Sequence, residues 1–195
     1  MENKTFKRII LFASGSGTNV ENIVRYFQHN SRLEIAMVFT NNPNAGVIDR
    51  ISSTKIPVTT FEKNQLTDGF LLNQIQLLNP DLIVLAGFLL KIPPDFTQIF
   101  SNKIINIHPS LLPKHGGKGM YGERVHQSVK DDGDTETGIS IHFVNEHYDE
   151  GAIIFQAKAV LSEEDIPESI AEKIHILEQK YFPKVIEDVI LSKNE

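Results

Sequence analysis

Residues 8–28 read RIILFASGSGTNVENIVRYFQ. The stretch holds three signals in a row. "RIILFAS" (8–14) is apolar on both faces, the pattern of a strand buried inside a sheet. "ASGSGTN" (13–19) is a glycine-rich turn. "VENIVRYFQ" (20–28) then places Val20, Ile23, Val24 and Phe27 on one side of a helix. A buried strand, a glycine turn and an amphipathic helix in succession open a parallel α/β sheet.

The same alternation continues outward. Strands are expected at "LEIAMVFTN" (33–41), "VTTF" (58–61), "DLIVLAGF" (81–88) and "KIINIH" (103–108). Helices are expected at "AGVIDRISST" (45–54), "TDGFLLNQIQLLN" (67–79) and "PPDFTQIF" (93–100). The second of these carries Phe70, Leu71, Ile75 and Leu78 at helical spacing. The fold class is therefore α/β, a doubly wound, Rossmann-like and mostly parallel sheet with helices on both faces. Ligands of such sheets sit beyond the carboxyl ends of the strands. After residue 109 the pattern changes to a long loop, "SLLPKHGGKGMYGERV" (110–125), with four glycines. A helix at 122–131 follows, then the strands "TGISIHFVN" and "GAIIFQAKAVL" joined by "EHYDE", and a final helix over 167–191. There is no repeat, low-complexity segment or linker, so 1–195 reads as a single domain.

Composition bounds the function. The chain has 195 residues, 41% hydrophobic and 23% charged, with a formal net charge of -6. An acidic balance argues against a nucleic-acid groove. No apolar run reaches the about 18–20 residues that span a bilayer. The apolar part of the N-terminus, Ile9 to Ala13, is too short for a signal-peptide core. There is no cysteine, hence no disulfide and no thiolate metal site. The expected compartment is cytoplasmic.

Gly15 and Gly17 allow a tight turn and close backbone approach, and the helix behind them offers unpaired N–H groups to an anion such as phosphate. The plainer reading is a turn capped by Thr18 or Asn19. A dinucleotide fingerprint would need glycine at position 20, where Val20 stands. It would also need an acid at the end of the second strand, where Thr40, Asn41 and Asn42 stand. "GGKGM" lacks a serine or threonine after Lys118, so it is not a phosphate-binding Walker loop.

Five of the seven histidines, His108, His115, His126, His142 and His147, fall between residues 108 and 147. No pair has the helical His-x-x-x-His spacing, and no metal is expected. His29, His115 and His147 read as surface or satisfied core residues. Asn106 and His108 differ, because residues two apart on a strand share a face. Both project at the carboxyl end of an inner strand. An amide can stabilise an oxyanion and an imidazole can move protons near neutral pH, which is the equipment of acyl transfer. Ser110 follows a proline and lacks the nucleophile-elbow pattern, so direct transfer is expected.

"NIHPSLLP", with "LAGF" upstream and "HFV…DEGAII" downstream, resembles the formyltransferases that use 10-formyltetrahydrofolate. The "GSGTN" loop, the chain length and "GGKGMYG" narrow the resemblance to the branch that formylates glycinamide ribonucleotide in purine synthesis. The resemblance runs from about residue 8 to 185. It implies that Asn106, His108 and Asp149 form a catalytic trio, with Asp149 keeping His108 protonated. It implies that Gly15, Ser16, Gly17, Thr18 and Asn19 hold the ribonucleotide phosphate, with Gly87, Pro109 and Glu178 also on that substrate. Leu89, Leu90, Lys91 and Ile92, together with Asn145, Glu146, His147, Tyr148 and Asp149, would line the folate site beside Asn106. The implied partners are these two small molecules alone, with 10-formyltetrahydrofolate as co-substrate and no metal. Leu90 stands where the family commonly has an arginine, with Lys91 next to it. Asn64, beside Lys63, stands where another arginine would meet the folate glutamate tail. Three competing readings stay open here: a formyltetrahydrofolate deformylase, a methionyl-tRNA formyltransferase, and a non-catalytic nucleotide-binding module.

Overall fold

The computed structural model describes residues 6–192. Seven strands form one sheet in the order β3-β2-β1-β4-β5-β6-β7. They are β1 (Lys7–Phe12), β2 (Leu33–Thr40), β3 (Val58–Thr60), β4 (Leu82–Leu85), β5 (Ile104–His108), β6 (Glu136–Phe143) and β7 (Ile153–Val160). The first five pair in parallel. β6 pairs antiparallel with β5, and β7 antiparallel with β6. The doubly wound reading holds, including the antiparallel strand pair at its C-terminal end.

Alternation along β1 shows why the central strands are apolar on both faces. Ile9 and Leu11 point into a core beneath α1 (Thr18–Phe27), α2 (Gly46–Arg50), α5 (Glu123–Asp131) and α6 (Pro167–Leu191). Ile10 and Phe12 point into a second core beneath α3 (Phe70–Leu78) and α4 (Pro94–Ile99). There Phe12 packs against Phe39, Phe61 and Phe88 with ring centroids 5.1–6.0 Å apart. β1, β2, β4 and β5 thus feed two cores, and a polar residue inside β1 or β4 would be buried whichever way it pointed.

Three helices differ from expectation, the first being α2, which ends at Arg50 rather than Thr54. α3 begins at Phe70 rather than Thr67, because Lys63–Leu66 form their own 3-10 turn and Gly69 breaks into a left-handed conformation. The Phe70 N–H then bonds the Asp68 carboxylate at 2.9 Å. This start turns Phe70 outwards, 48% exposed, and the buried stripe is Leu71, Leu72 and Ile75. At α1, neither Thr18 nor Asn19 caps the helix. The capping position is Gly17, with φ 77°, and no side chain bonds the first-turn N–H groups.

Gly17 is fixed by two constraints. Its φ favours glycine, and an added Cβ would lie 2.5 Å from Val47 Cβ and 2.6 Å from Val47 Cα on α2. The carbonyls of the loop are tied back to the same helix. Val47 N–H bonds the Gly15 carbonyl at 3.2 Å and Arg50 Nε the Ser16 carbonyl at 2.9 Å. Gly15 has open space where its Cβ would go and no positive φ. Gly17→Ala should therefore cost about 1–3 kcal/mol from backbone strain alone, with the overlap on Val47 adding to it. Gly15→Ala should leave the denaturant midpoint nearly unchanged. Equal midpoints for the two variants would contradict this account.

Candidate active site

Asn106 and His108 lie at the end of β5, and the antiparallel register sets what faces them. Asn106 is opposite His142, and His108 is opposite Ser140. Directly opposed residues share a face of the sheet. His108 and His142 are 3% and 2% exposed. Asn106 Nδ2 is 3.2 Å from His142 Nε2. His142 Nδ1 lies 2.8 Å from the Phe143 carbonyl, which only accepts, so Nδ1 carries the proton and Nε2 accepts from Asn106. One Asn106 N–H is thereby spoken for and the other remains for a ligand.

His108 is oriented the same way. Its Nε2 is 2.8 Å from the His115 carbonyl, so Nε2 carries a proton. Its Nδ1 lies 3.6 Å from Asp149 Oδ2, too long for a hydrogen bond and close enough for charge to act. Asp149 comes from the β6–β7 connection. It adopts φ 57° and accepts the Gly117 N–H at 2.9 Å, and its Oδ1 is 3.5 Å from His142 Nε2. The connection can fold back so tightly because position 151 is glycine. A Cβ there would lie 1.7 Å from the Phe143 carbonyl oxygen.

Burial pushes the His108 pKa below its ordinary 6.5, outweighing the opposing pull of Asp149 and the His115 carbonyl. This balance favours a neutral resting ring over the expected imidazolium, since desolvation penalises the charge more than one carboxylate favours it. Burial pushes the Asp149 carboxyl up, yet contacts with His142, His108 and the Gly117 N–H together hold it below its usual range. Ser110 is fully buried and donates to the Lys114 carbonyl at 2.6 Å, which suits structure rather than attack.

A cavity of about 510 Å³ opens here, at the carboxyl ends of the strands. Its lining includes Ser16, Asn19, Gly87, Pro109 and Glu178, and also Leu89, Leu90, Lys91, Ile92, Asn145, His147, Tyr148 and Asp149. Asn106 and His108 line the same cavity. Asn19 Nδ2 donates to Glu178 Oε2 at 3.0 Å, tying α1 to α6. Gly15, Gly17, Thr18 and Glu146 do not line it. Gly17 is packed on Val47, and Glu146 faces solvent beside His147, at 3.5 Å.

Several residues of this site carry no signal in the sequence read linearly. His142 is reached only through the β5–β6 register. His126 and His175 also line the cavity. His126 Nδ1 is buried without a partner, while Glu178, 3.7 Å from His175, raises the His175 pKa. Ser14 receives the Leu89 N–H at 3.0 Å and donates to Asn41 at 2.6 Å, linking the ends of β1, β2 and β4. His115 is a satisfied core residue, as expected, but its carbonyl is a partner of His108. Among the described residues no group of three or more His, Cys, Asp or Glu could hold a metal ion.

A doubly wound sheet with an amide, an imidazole and a carboxylate gathered at its strand ends defines a group-transfer enzyme of the α/β class. More particularly, the chain belongs to the formyl transferase family, whose sequence model matches residues 7–186. It is 36% identical over 190 residues to the phosphoribosylglycinamide formyltransferase of Bacillus subtilis, covering 94% of this chain and 95% of that one. It is 35% identical to the chloroplastic phosphoribosylglycinamide formyltransferase of Arabidopsis thaliana, covering 92% of this chain and 64% of that protein's length. The crystal structure of phosphoribosylglycinamide formyltransferase from Anaplasma phagocytophilum superposes with a TM-score of 0.87 at 30% identity, covering 97% of this chain and 89% of that one.

The balance on His108 can be measured. Its imidazole, followed by NMR, should titrate below 6.5. Asp149→Asn removes the carboxylate that opposes burial, so the titration should move lower still. Asparagine tolerates the left-handed backbone at 149, so the variant should fold. A His108 titration unmoved by Asp149→Asn would break the coupling.

Proposed function

We propose that this chain, acting as a single formyltransferase domain in the cytoplasm, transfers the formyl group of 10-formyltetrahydrofolate to the amine of glycinamide ribonucleotide in purine synthesis. The carrying observation is one cavity in which Asn106 and His108 share the wall with polar residues, Ser16, Asn19 and Glu178, and with apolar ones, Leu89, Leu90, Ile92 and Tyr148. The polar lining residues Ser16, Asn19 and Glu178 suit a phosphorylated ribose. The first turn of α1, which reaches the cavity at Asn19, has no side-chain cap and leaves N–H groups for the phosphate. The apolar lining residues Leu89, Leu90, Ile92 and Tyr148 suit a flat aromatic co-substrate. The names of the relatives point the same way.

In this reading the amine attacks the formyl carbon and a tetrahedral intermediate forms with negative charge on oxygen. The free N–H of Asn106 donates to that oxygen. Neutral His108 accepts the proton of the attacking amine on Nδ1, the nitrogen left open by the His115 contact. Asp149 stabilises the imidazolium as it forms. The proton then passes to N10 of the folate as the C–N10 bond breaks. The products are the formylated ribonucleotide and tetrahydrofolate, and the ring returns neutral.

The experiment is a turnover assay with 10-formyltetrahydrofolate, with and without glycinamide ribonucleotide, followed by folate absorbance. Turnover that requires the ribonucleotide supports the proposal. Turnover without it would make the chain a deformylase, and none in either case would overturn the assignment. Asn106→Ala should lower kcat by about 10²–10³-fold, the usual cost of an oxyanion donor. The rate should also fall as pH drops through the depressed His108 pKa, because protonation removes the acceptor lone pair. For the folate tail, Lys91 is the one lysine or arginine lining the cavity among the described residues, and its Nζ lies 5.2 Å from the Tyr148 ring centroid. Lys63 lies on the 3-10 turn and does not line the cavity. Lys91→Ala should raise the folate KM alone, and Lys63→Ala should not. The reverse result would move the tail to the other side of the site.

A further inference from the structure

The turn from His115 to Gly117 touches both members of the His108–Asp149 pair. The His115 carbonyl receives His108 Nε2–H at 2.8 Å, and the Gly117 N–H donates to Asp149 Oδ2 at 2.9 Å. The first of these contacts requires an unfavoured backbone. His115 is not glycine, yet its φ is 51°. Such a conformation persists only where surrounding structure holds it.

The hold on this turn comes from the His115 side chain, which is 5% exposed. Nε2 lies 2.8 Å from Asp134 Oδ2, and Nδ1 lies 2.9 Å from Ser128 Oγ on α5. Lys114 Nζ bonds the other oxygen of Asp134 at 2.6 Å. Lys114 and His115 together hold the Asp134 carboxyl below its usual range. Neither His115 nor Asp134 lines the cavity. Both are outside the set of residues that the mechanism above uses by side chain.

This clamp decides between two states of His108. A neutral imidazole carries one proton, on Nδ1 or on Nε2. Asp149, 3.6 Å from Nδ1, attracts the proton to Nδ1. A ring in that state has no lone pair on Nδ1, and Nε2 is turned to the His115 carbonyl. The His115 carbonyl opposes this by rewarding a proton on Nε2. We propose that His115 and Asp134 are positioning residues, a clamp that fixes the His115 carbonyl and so keeps His108 in the Nε2–H tautomer, with Nδ1 free to accept the proton of the attacking amine. The proposal rests on the reading of His108 as that acceptor.

The test uses the full chain with His115→Gly, which suits φ 51° without a side chain and cannot reach Asp134. ¹⁵N NMR of the resting protein reads which nitrogen of His108 is protonated. Wild type should show the proton on Nε2, and His115→Gly should shift it towards Nδ1. With both substrates, kcat should fall about 10–100-fold, as small misplacements of reacting groups do, while both KM values stay within roughly two-fold. His115→Gln, whose amide can still donate to Asp134, should recover most of the loss. Asp134→Ala, at a partly exposed carboxylate, should reproduce the tautomer shift if His115→Gly does not fold. A His108 tautomer unchanged in the folded variants overturns the clamp. So does a loss of kcat matched by rising KM values, the mark of a general disturbance of the cavity. The NMR result needs no substrate, so a wild-type protein that fails to use glycinamide ribonucleotide would sink the function proposal and leave the clamp to be judged by the ring signals.

Discussion

The antiparallel pairing of β5 with β6 is the constraint on which the candidate site depends. In the parallel half of the sheet each strand brings only its own carboxyl end to the ligand edge. At β5 the direction reverses, and β6 returns alongside it with His142 opposite Asn106 and Ser140 opposite His108. Two strands can then contribute side chains to one face at one level. A register irregularity between Ile141 and His142, where β6 meets β7, adds local twist at that level. The connection after β6 starts with Val144 N–H bonded to the Ile104 carbonyl and folds back through Gly151 to present Asp149. A one-residue slip of β6 would turn His142 to the opposite face and remove the acceptor that orients Asn106.

Much of the fold was legible because its signals are local. The continuous apolar runs at 8–14 and 81–88, the glycine turn between β1 and α1, and the long pattern over 167–191 need no knowledge of distant residues. α6 spans Pro167–Leu191, the same range as its pattern. Phe70 was misjudged because periodicity gives the spacing of a helix face but not its phase, and the phase was set by the left-handed Gly69. Asn106 and His108 were legible as a pair from strand alternation alone. Asp149 was visible only through the family resemblance, because its approach to His108 depends on Gly151 and on the length of the connection. His142 was missed for a similar reason, as its partner is 36 residues away in the chain. The His115 carbonyl could not be found by any side-chain motif, since a backbone oxygen has no letter in the sequence.

His108 shows two electrostatic effects in competition at one ring. Withdrawal from water disfavours the imidazolium, and the neighbouring carboxylate favours it. Burial wins in the resting site. That outcome fits the proposed proton acceptor better than a permanently charged ring would. A general base needs a vacant lone pair at rest and a stabilised product once the proton arrives. Burial supplies the first and Asp149 the second, so the same carboxylate that fails to charge the resting ring still lowers the cost of charging it during the reaction. The Asp149 carboxyl is held below its usual range despite burial, and the Gly117 N–H bonds it whichever state the two imidazoles are in.

The charge balance of the cavity bears on how an anionic substrate is held. Its walls carry Asp149 and Glu178, with Lys91 the one lysine or arginine among the described residues, in a chain of formal net charge -6. A phosphate entering beside Glu178 cannot rely on a ring of cationic side chains. Backbone dipoles offer an alternative, and the glycine loop is arranged to expose them. Gly15 and Ser16 have their carbonyls turned away and bonded to α2, while the first turn of α1 has no side-chain cap. Oxygens that would repel the anion are thus occupied, and N–H groups that attract it are left unpaired. Arg50, which holds the Ser16 carbonyl, also pairs with Glu21 at 2.9 Å, so part of its charge is already neutralised. Its main contribution to the loop is therefore directional: it helps set which way the peptide groups face.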